Sequence, residues 1–280
     1  MGALLALASA ACYGLVDFAS GLLSRQVHFA VVTFLGQIGG MLLALVCALS
    51  VPAQAVHHAD VVWGALSGAG SAMAMHFLNR GLSRGPMSVV IPVSAVTGVA
   101  LSALCGVSFL GDRPTALAWA GICVTMPALW LVSGGTTGGK DRPQPGQLPV
   151  DGLVASLGVA VQYISLAQAD RASGLWPVVV GRIAAVVLLV PSTWRHSSDL
   201  RQPARRLGWA VLIGAGAALA LILYLWAAQE QMLAIAVVLA SLYPVIPTAL
   251  GLLVLREKVT RAQAAGLVSA TAAVILLTLE

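Results

Sequence analysis

Ten stretches of about 20 mostly apolar residues fill this chain, and that pattern leaves a lipid bilayer as its solvent. They fall at about 2–23, 29–50, 60–79, 87–110, 115–133, 150–168, 174–191, 207–228, 233–255 and 261–279. The sixth is the least clear of them, being short and carrying Gln162 and Gln168. Only 9% of residues are charged, against 59% hydrophobic. A soluble domain carries about 25% charged residues, so this chain lacks the polar surface to stay dispersed in water. The expected fold is all-α and integral to the membrane, with ten transmembrane helices.

The net charge of +5 does not indicate nucleic acid, because the basic residues sit in short loops between apolar runs. Cys12, Cys47, Cys105 and Cys123 each lie inside an apolar run and form no CxxC pair, so buried thiols are expected and no metal site. His57-His58 beside Asp60 is a poor metal site, since adjacent side chains on a short loop diverge. The apolar N-terminus has no basic residue before it, so it reads as a first span and not as a cleaved leader. No metalloprotease, phosphate-loop or paired-carboxylate motif is present, so neither an enzyme nor a cofactor is expected.

Residues 134–149 (GGTTGGKDRPQPGQLP) are Gly- and Pro-rich and read as a linker. They divide the chain into residues 1–133 and 150–280, each with five spans. The halves are alike in sequence. Gly121 and Gly266 lie 145 residues apart, and the same offset carries Gly36-Gln37 onto Gly181-Arg182, while Tyr13 falls near Tyr163. Five is odd, so the second half enters the membrane the other way up, as in an inverted-topology repeat. Charge agrees with the inversion. The 2–3 loop has no Lys or Arg, whereas its counterpart holds Arg195, Arg201, Arg205 and Arg206. Twelve basic residues follow odd-numbered spans, and only Arg113 and Arg171 follow even ones. This bias places the odd loops in the cytoplasm and both termini outside.

Several motifs occur in a familiar order. Span 1 reads Ala-Cys-Tyr-Gly-Leu-Val-Asp17-Phe, and span 3 ends Phe77-Leu-Asn-Arg-Gly-Leu-Ser-Arg-Gly-Pro86 before Val-Ile-Pro92-Val. Span 4 ends Phe-Leu-Gly-Asp-Arg-Pro-Thr115, and span 9 runs from Leu-Tyr243-Pro244 to Leu-Arg-Glu-Lys-Val-Thr260. The sequence resembles the EamA-type branch of the drug/metabolite transporter superfamily over nearly its whole length. The resemblance implies two inverted five-helix repeats, a central cavity, and export or exchange of small metabolites. It also implies cytoplasmic termini, against the charge count.

Ionisable groups deep in a bilayer are costly and mark candidate sites. Ser9, Tyr13 and Asp17 fall on one face of span 1, where Asp17 is placed to couple a proton or ion or to meet a cationic substrate group. Arg182 in span 7 suits a substrate carboxylate or an ion pair with Asp17. His76 and Asn79 lie near the end of span 3; Ser67, Ser71 and Asn79 share a face from which His76 is offset. Gln37, Gln162, Tyr163, Tyr224 and Tyr243 complete the set as neutral hydrogen-bonding groups. Pro92, Pro127, Pro244 and Pro247 are expected to interrupt helices.

The expected function is secondary transport, in the cell membrane, of an amino acid, amine or drug-like solute, with a coupling proton or ion. The lipid bilayer is the other partner. A membrane-embedded enzyme would need a nucleophile–base pair, but Ser71 and His76 lie five apart on one helix and face different ways. A non-transporting scaffold is the third reading.

Overall fold

The computed structural model describes residues 2–105, 116–132, 148–230, 243–257 and 260–278. Among these residues there are ten α-helices and no strand: α1 (Gly2–Ser24), α2 (Phe29–Ser50), α3 (His58–Arg84), α4 (Met87–Cys105), α5 (Ala116–Val132), α6 (Leu148–Ala167), α7 (Trp176–Trp194), α8 (Ala204–Glu230), α9 (Val245–Leu253) and α10 (Arg261–Thr278). Five segments are long and apolar enough to cross a bilayer: Leu4–Ser24, Phe29–Ser50, His58–Arg84, Trp176–Trp194 and Ala204–Ala227. Shorter apolar helices cover Val150–Leu166 and Ala264–Ala273.

The expected boundaries shift where charge and proline act. The third helix runs on to Arg84 and does not stop at 79, because α3 can leave the apolar layer while still helical. At 27 residues it is about 40 Å long, against an apolar layer of about 30 Å. In this extension Arg80 approaches the Asp151 carboxylate at 3.6 Å. Pro92 and Pro127 lie inside α4 and α5 without breaking them. Pro244 instead stands at the start of α9, with Pro247 in its first turn, where the missing N–H has no helical partner to lose. The rest of the expected ninth span, 233–242, lies outside the described residues, as does 106–110 of the fourth.

Large apolar side chains cover the outside. Leu4, Leu49, Val62, Val187, Leu253 and Val268 are all more than half exposed. The inside is lined by small residues, so the helices approach backbone to backbone. The most extensive packing joins α3 to α6 and α7, α5 to α10, and α8 to α1 and α2, so it crosses the linker in both directions. α2 also meets α7. Several crossings need glycine, two of them related across the linker. A β-carbon on Gly68 would collide with the Gly181 carbonyl where α3 crosses α7, and one on Gly214 would collide with the Gly36 carbonyl where α8 crosses α2.

Polar contacts close both ends of the bundle. At the even-loop end, Asp60 in the first turn of α3 accepts hydrogen bonds from the His57 and Asp170 backbone N–H groups, both at 2.8 Å. Gln54 N–H also reaches the Ala172 carbonyl at 2.9 Å. The His57/Asp60 pair thus caps a helix and clamps the 6–7 connection; among the described residues no group fit to hold a metal is found.

At the odd-loop end, Glu257 caps the start of α4. Its carboxylate accepts from Met87 N–H and Ser88 N–H at 3.0 Å and from Ser88 Oγ at 2.7 Å. Arg25 donates to it at 3.4 Å, and to the Gly85 carbonyl at 2.9 Å. The preceding Arg256 holds φ 51, a left-handed backbone that costs a non-glycine residue about 1–3 kcal/mol. That turn aims Glu257 at the helix N-terminus, where a negative charge is favoured. Burial pushes the Glu257 carboxyl up, but the hydrogen bonds from Ser88, Met87 and Arg25 outweigh it and hold it below its ordinary value of 4.5.

Two outcomes are expected. Gly68→Ala should destabilise the detergent-solubilised protein by about 1–3 kcal/mol, measured as thermal melting, because α3 and α7 must separate. Gly208→Ala, where a β-carbon meets nothing within 4 Å, should leave melting unchanged. For Glu257 the folded carboxyl value is depressed, so its stabilisation is complete above 4.5 and fades as pH falls through the folded value. Glu257→Gln should lower the melting temperature near neutral pH and remove that part of the acid sensitivity.

Candidate functional site

Arg182 is the deepest cation described, and its surroundings are built to hold it. The side chain is 7% exposed. One Nη1 donates to Gln37 Oε1 at 2.7 Å and reaches Ser71 Oγ at 3.5 Å, while Gln37 Nε2 approaches Ser71 Oγ at 3.3 Å. Three helices therefore meet at one guanidinium: α7 supplies it, α2 the amide, α3 the hydroxyl. Glycine makes the room. A β-carbon at Gly40 would stand 3.3 Å from Arg182 Nε, and Gly181 lets α3 come close enough for Ser71 to reach. A buried ion without such partners would cost several kcal/mol.

Among the described residues no ion pair joins Arg182 to Asp17, so the pairing that helix depth allowed is not made. Gln37 and Ser71 take the guanidinium instead, because they stand on the helices that cross α7 most closely.

Beside the guanidinium runs a narrow cleft lined by Ser67, Ser71, Gln162, Leu166, Arg182 and Leu221, among others. It offers about 10 Å³ to the centre of a water molecule, room for about one. Gln162 is 8% exposed on this wall.

The chain has four tyrosines; Tyr13, Tyr224 and Tyr243 are half-buried and Tyr163 is 37% exposed. The Tyr13 and Tyr243 rings lie 6.0 Å apart at 56°. The Tyr163 hydroxyl meets that of Tyr13, and Tyr224 stands within electrostatic reach of Tyr163. Asp17 faces this group: it is 5% exposed, interacts electrostatically with Tyr13, Tyr163 and Tyr243, and makes no hydrogen bond to the other described residues. Arg182 approaches the same Tyr13 and Tyr163. Tyr13 and Tyr163 thus stand within electrostatic reach of both the Asp17 carboxyl and the Arg182 guanidinium.

His76 and Asn79 stand apart from this group, toward the odd-loop end. Asn79 ties three helices together: Ser20 Oγ donates to its Oδ1 at 2.7 Å, and its Nδ2 donates to Thr33 Oγ1 at 2.9 Å. His76 packs edge-on against Phe29 with 5.0 Å between ring centres. His28 and His196 stack at 3.6 Å at the same corner, and burial, with His196 opposite, holds the His28 imidazole below its usual value. Ser71 is the central residue that sequence reasoning left as one member of a polar face. Its spacing with Ser67 was a signal of inward orientation, but not of its partner.

The model of the EamA-like transporter family matches the chain twice, over residues 1–134 and 152–279. No curated protein matches the sequence. A solved crystal structure described only as "Crystal structure of protein" superposes with a TM-score of 0.59 at 14% identity, covering 98% of this chain and 95% of that one. A likeness that distant speaks for the fold alone. Since the two matched segments take in nearly all of the sequence, the chain belongs to the EamA-like transporter family and is a multi-pass membrane protein.

Proposed function

We propose that this protein is a secondary transporter which binds a small metabolite between Asp17 and Arg182 and exposes it to each side of the cell membrane in turn. The observation that carries the reading is the burial of scarce polar groups. A chain with 9% charged residues buries Asp17, Gln37, Gln162 and Arg182, and the Asp17 carboxyl has no hydrogen bond to the other described residues. A scaffold gains nothing from burying such groups, whereas a solute that must leave water needs them. A buried carboxyl and a buried guanidinium favour an amino acid or an amine. A carboxylate would meet the Arg182 fork, and a cationic amine would meet Asp17 and the tyrosine faces. Asp17 is also the group to couple a proton or ion. We propose export as the direction.

An inverted repeat of ten spans supports alternating access. Packing of α3 on α6 and α7 is mirrored by packing of α8 on α1 and α2, as a two-fold axis in the membrane plane requires. The glycine crossings obey the same relation, Gly68 against Gly181 and Gly214 against Gly36. Gln37 and Arg182 stand 145 residues apart, the offset of the proposed repeat, and bond to each other, which supports a shared axis near them. On this reading the moving bodies are two interlocked trios, α1–α2–α8 and α6–α7–α3, and not the two sequence halves. The cleft holds about one water, so the trios must part before a metabolite can enter.

Reconstitution into proteoliposomes with a proton gradient and a panel of labelled amino acids and monoamines tests the reading. At least one solute should accumulate, and Asp17→Asn should abolish gradient-driven uptake while the protein stays inserted and monodisperse. Uptake unchanged by that substitution would remove Asp17 from the mechanism; chemical turnover of the solute without movement would favour a membrane enzyme. Arg182→Gln should weaken binding of a carboxylate-bearing solute by about ten- to a hundred-fold in a thermal-shift titration. Arg182→Lys should not restore it, because an ammonium lacks the planar fork.

A further inference from the structure

A second cavity lies away from the central cleft. It is a groove of about 360 Å³ where α1 passes α8, at the end of the bundle that carries the arginine-rich 7–8 connection. Its floor is apolar, made by Ala19, Leu22 and Leu23 of α1 and by Ile213 of α8. Its mouth is polar and basic, made by Gln26, Arg205 and Arg206, with Trp209 beside them.

The surroundings identify the face it opens on. Trp209 is 53% exposed, and Leu212, one turn further along α8, is exposed more. Along α1, Leu4, Leu15, Ala19 and Leu22 recur on one helical face that ends at Gln26, with Leu4 and Leu15 also exposed. In a membrane-spanning bundle such a face meets acyl chains, and an exposed tryptophan near a helix end sits at headgroup level. The two arginines add charge. Arg206 donates to the neutral Gln202 at 2.9 Å, and neither Arg205 nor Arg206 pairs with a carboxylate among the described residues. Gly208 leaves the approach open, since a β-carbon there would meet nothing within 4 Å.

We infer that this groove binds one anionic phospholipid, its phosphate held by Arg205 and Arg206 and one acyl chain lying between α1 and α8. The apolar floor takes the chain and excludes a free inorganic anion as the fitting occupant. The unpaired guanidinium groups at headgroup depth select negative over zwitterionic headgroups. Because α8 packs on both α1 and α2, a lipid wedged there bears on one of the closest contacts in the bundle.

Brominated lipids test this directly, because bromine on an acyl chain quenches a tryptophan it touches. The full-length protein in phosphatidylcholine nanodiscs is titrated with brominated phosphatidylglycerol or brominated phosphatidylcholine. The glycerol lipid should quench at about ten- to thirty-fold lower mole fraction, two arginines each contributing near the surface. Trp209→Phe should remove that high-affinity component, which locates it. Arg205→Gln with Arg206→Gln should erase the difference between the lipids while circular dichroism and size exclusion stay unchanged. Equal quenching by both lipids would overturn the inference, as would a preference that survives the double substitution or the loss of Trp209. None of these readouts depends on transport, so they stand apart from the reading of the central site.

Discussion

One hydrogen-bonded cation organises the interior. Arg182 lies where α2, α3 and α7 cross, and a guanidinium there is tolerable only with its donors occupied. Gln37 is an apt partner because its amide both accepts from Arg182 and donates toward Ser71. That triangle fixes the rotation of three helices about their own axes at once. The glycines at 40, 68 and 181 follow from it, since a side chain at any of them would push the crossing apart.

The two ends of the bundle use different chemistry for the same purpose. At the even-loop end Asp60 gathers backbone N–H groups from its own helix start and from the facing connection. At the odd-loop end Glu257 spans from the turn before α10 to the start of α4, with Arg25 alongside. Both are carboxylates held on backbone donors, with Asp60 3% exposed and the Glu257 side chain 12%. The centre is tightly crossed, and its Gln37–Arg182 bond joins the two trios proposed to move.

Much of this was legible beforehand. The described helices lie within a few residues of the apolar runs, because hydropathy is a local property and a span must satisfy its own backbone. The inward orientation of Asp17, Gln37, Gln162 and Arg182 was readable too, since each is dear to expose to lipid. His76 and Asn79 are polar and within a span like the other candidates; the structure sets Asn79 between Ser20 and Thr33, and His76 against Phe29. Polarity reports that a residue faces protein, not which protein group it faces. The extension of α3 to Arg84 escaped notice because a helix may outrun the apolar layer wherever a charge finds a partner, here Asp151.

The sequence alone determined the solvent, the number and placement of the apolar runs, the likeness between the halves and the shortlist of buried polar groups, all of which depend on composition along the chain. Only the tertiary structure decided that Arg182 takes Gln37 and Ser71 and leaves Asp17 to the tyrosines, and that the most extensive packing crosses the linker. Those outcomes depend on how each helix is rotated and where it crosses its neighbours. That geometry is set by glycines and side chains from distant parts of the chain meeting in space.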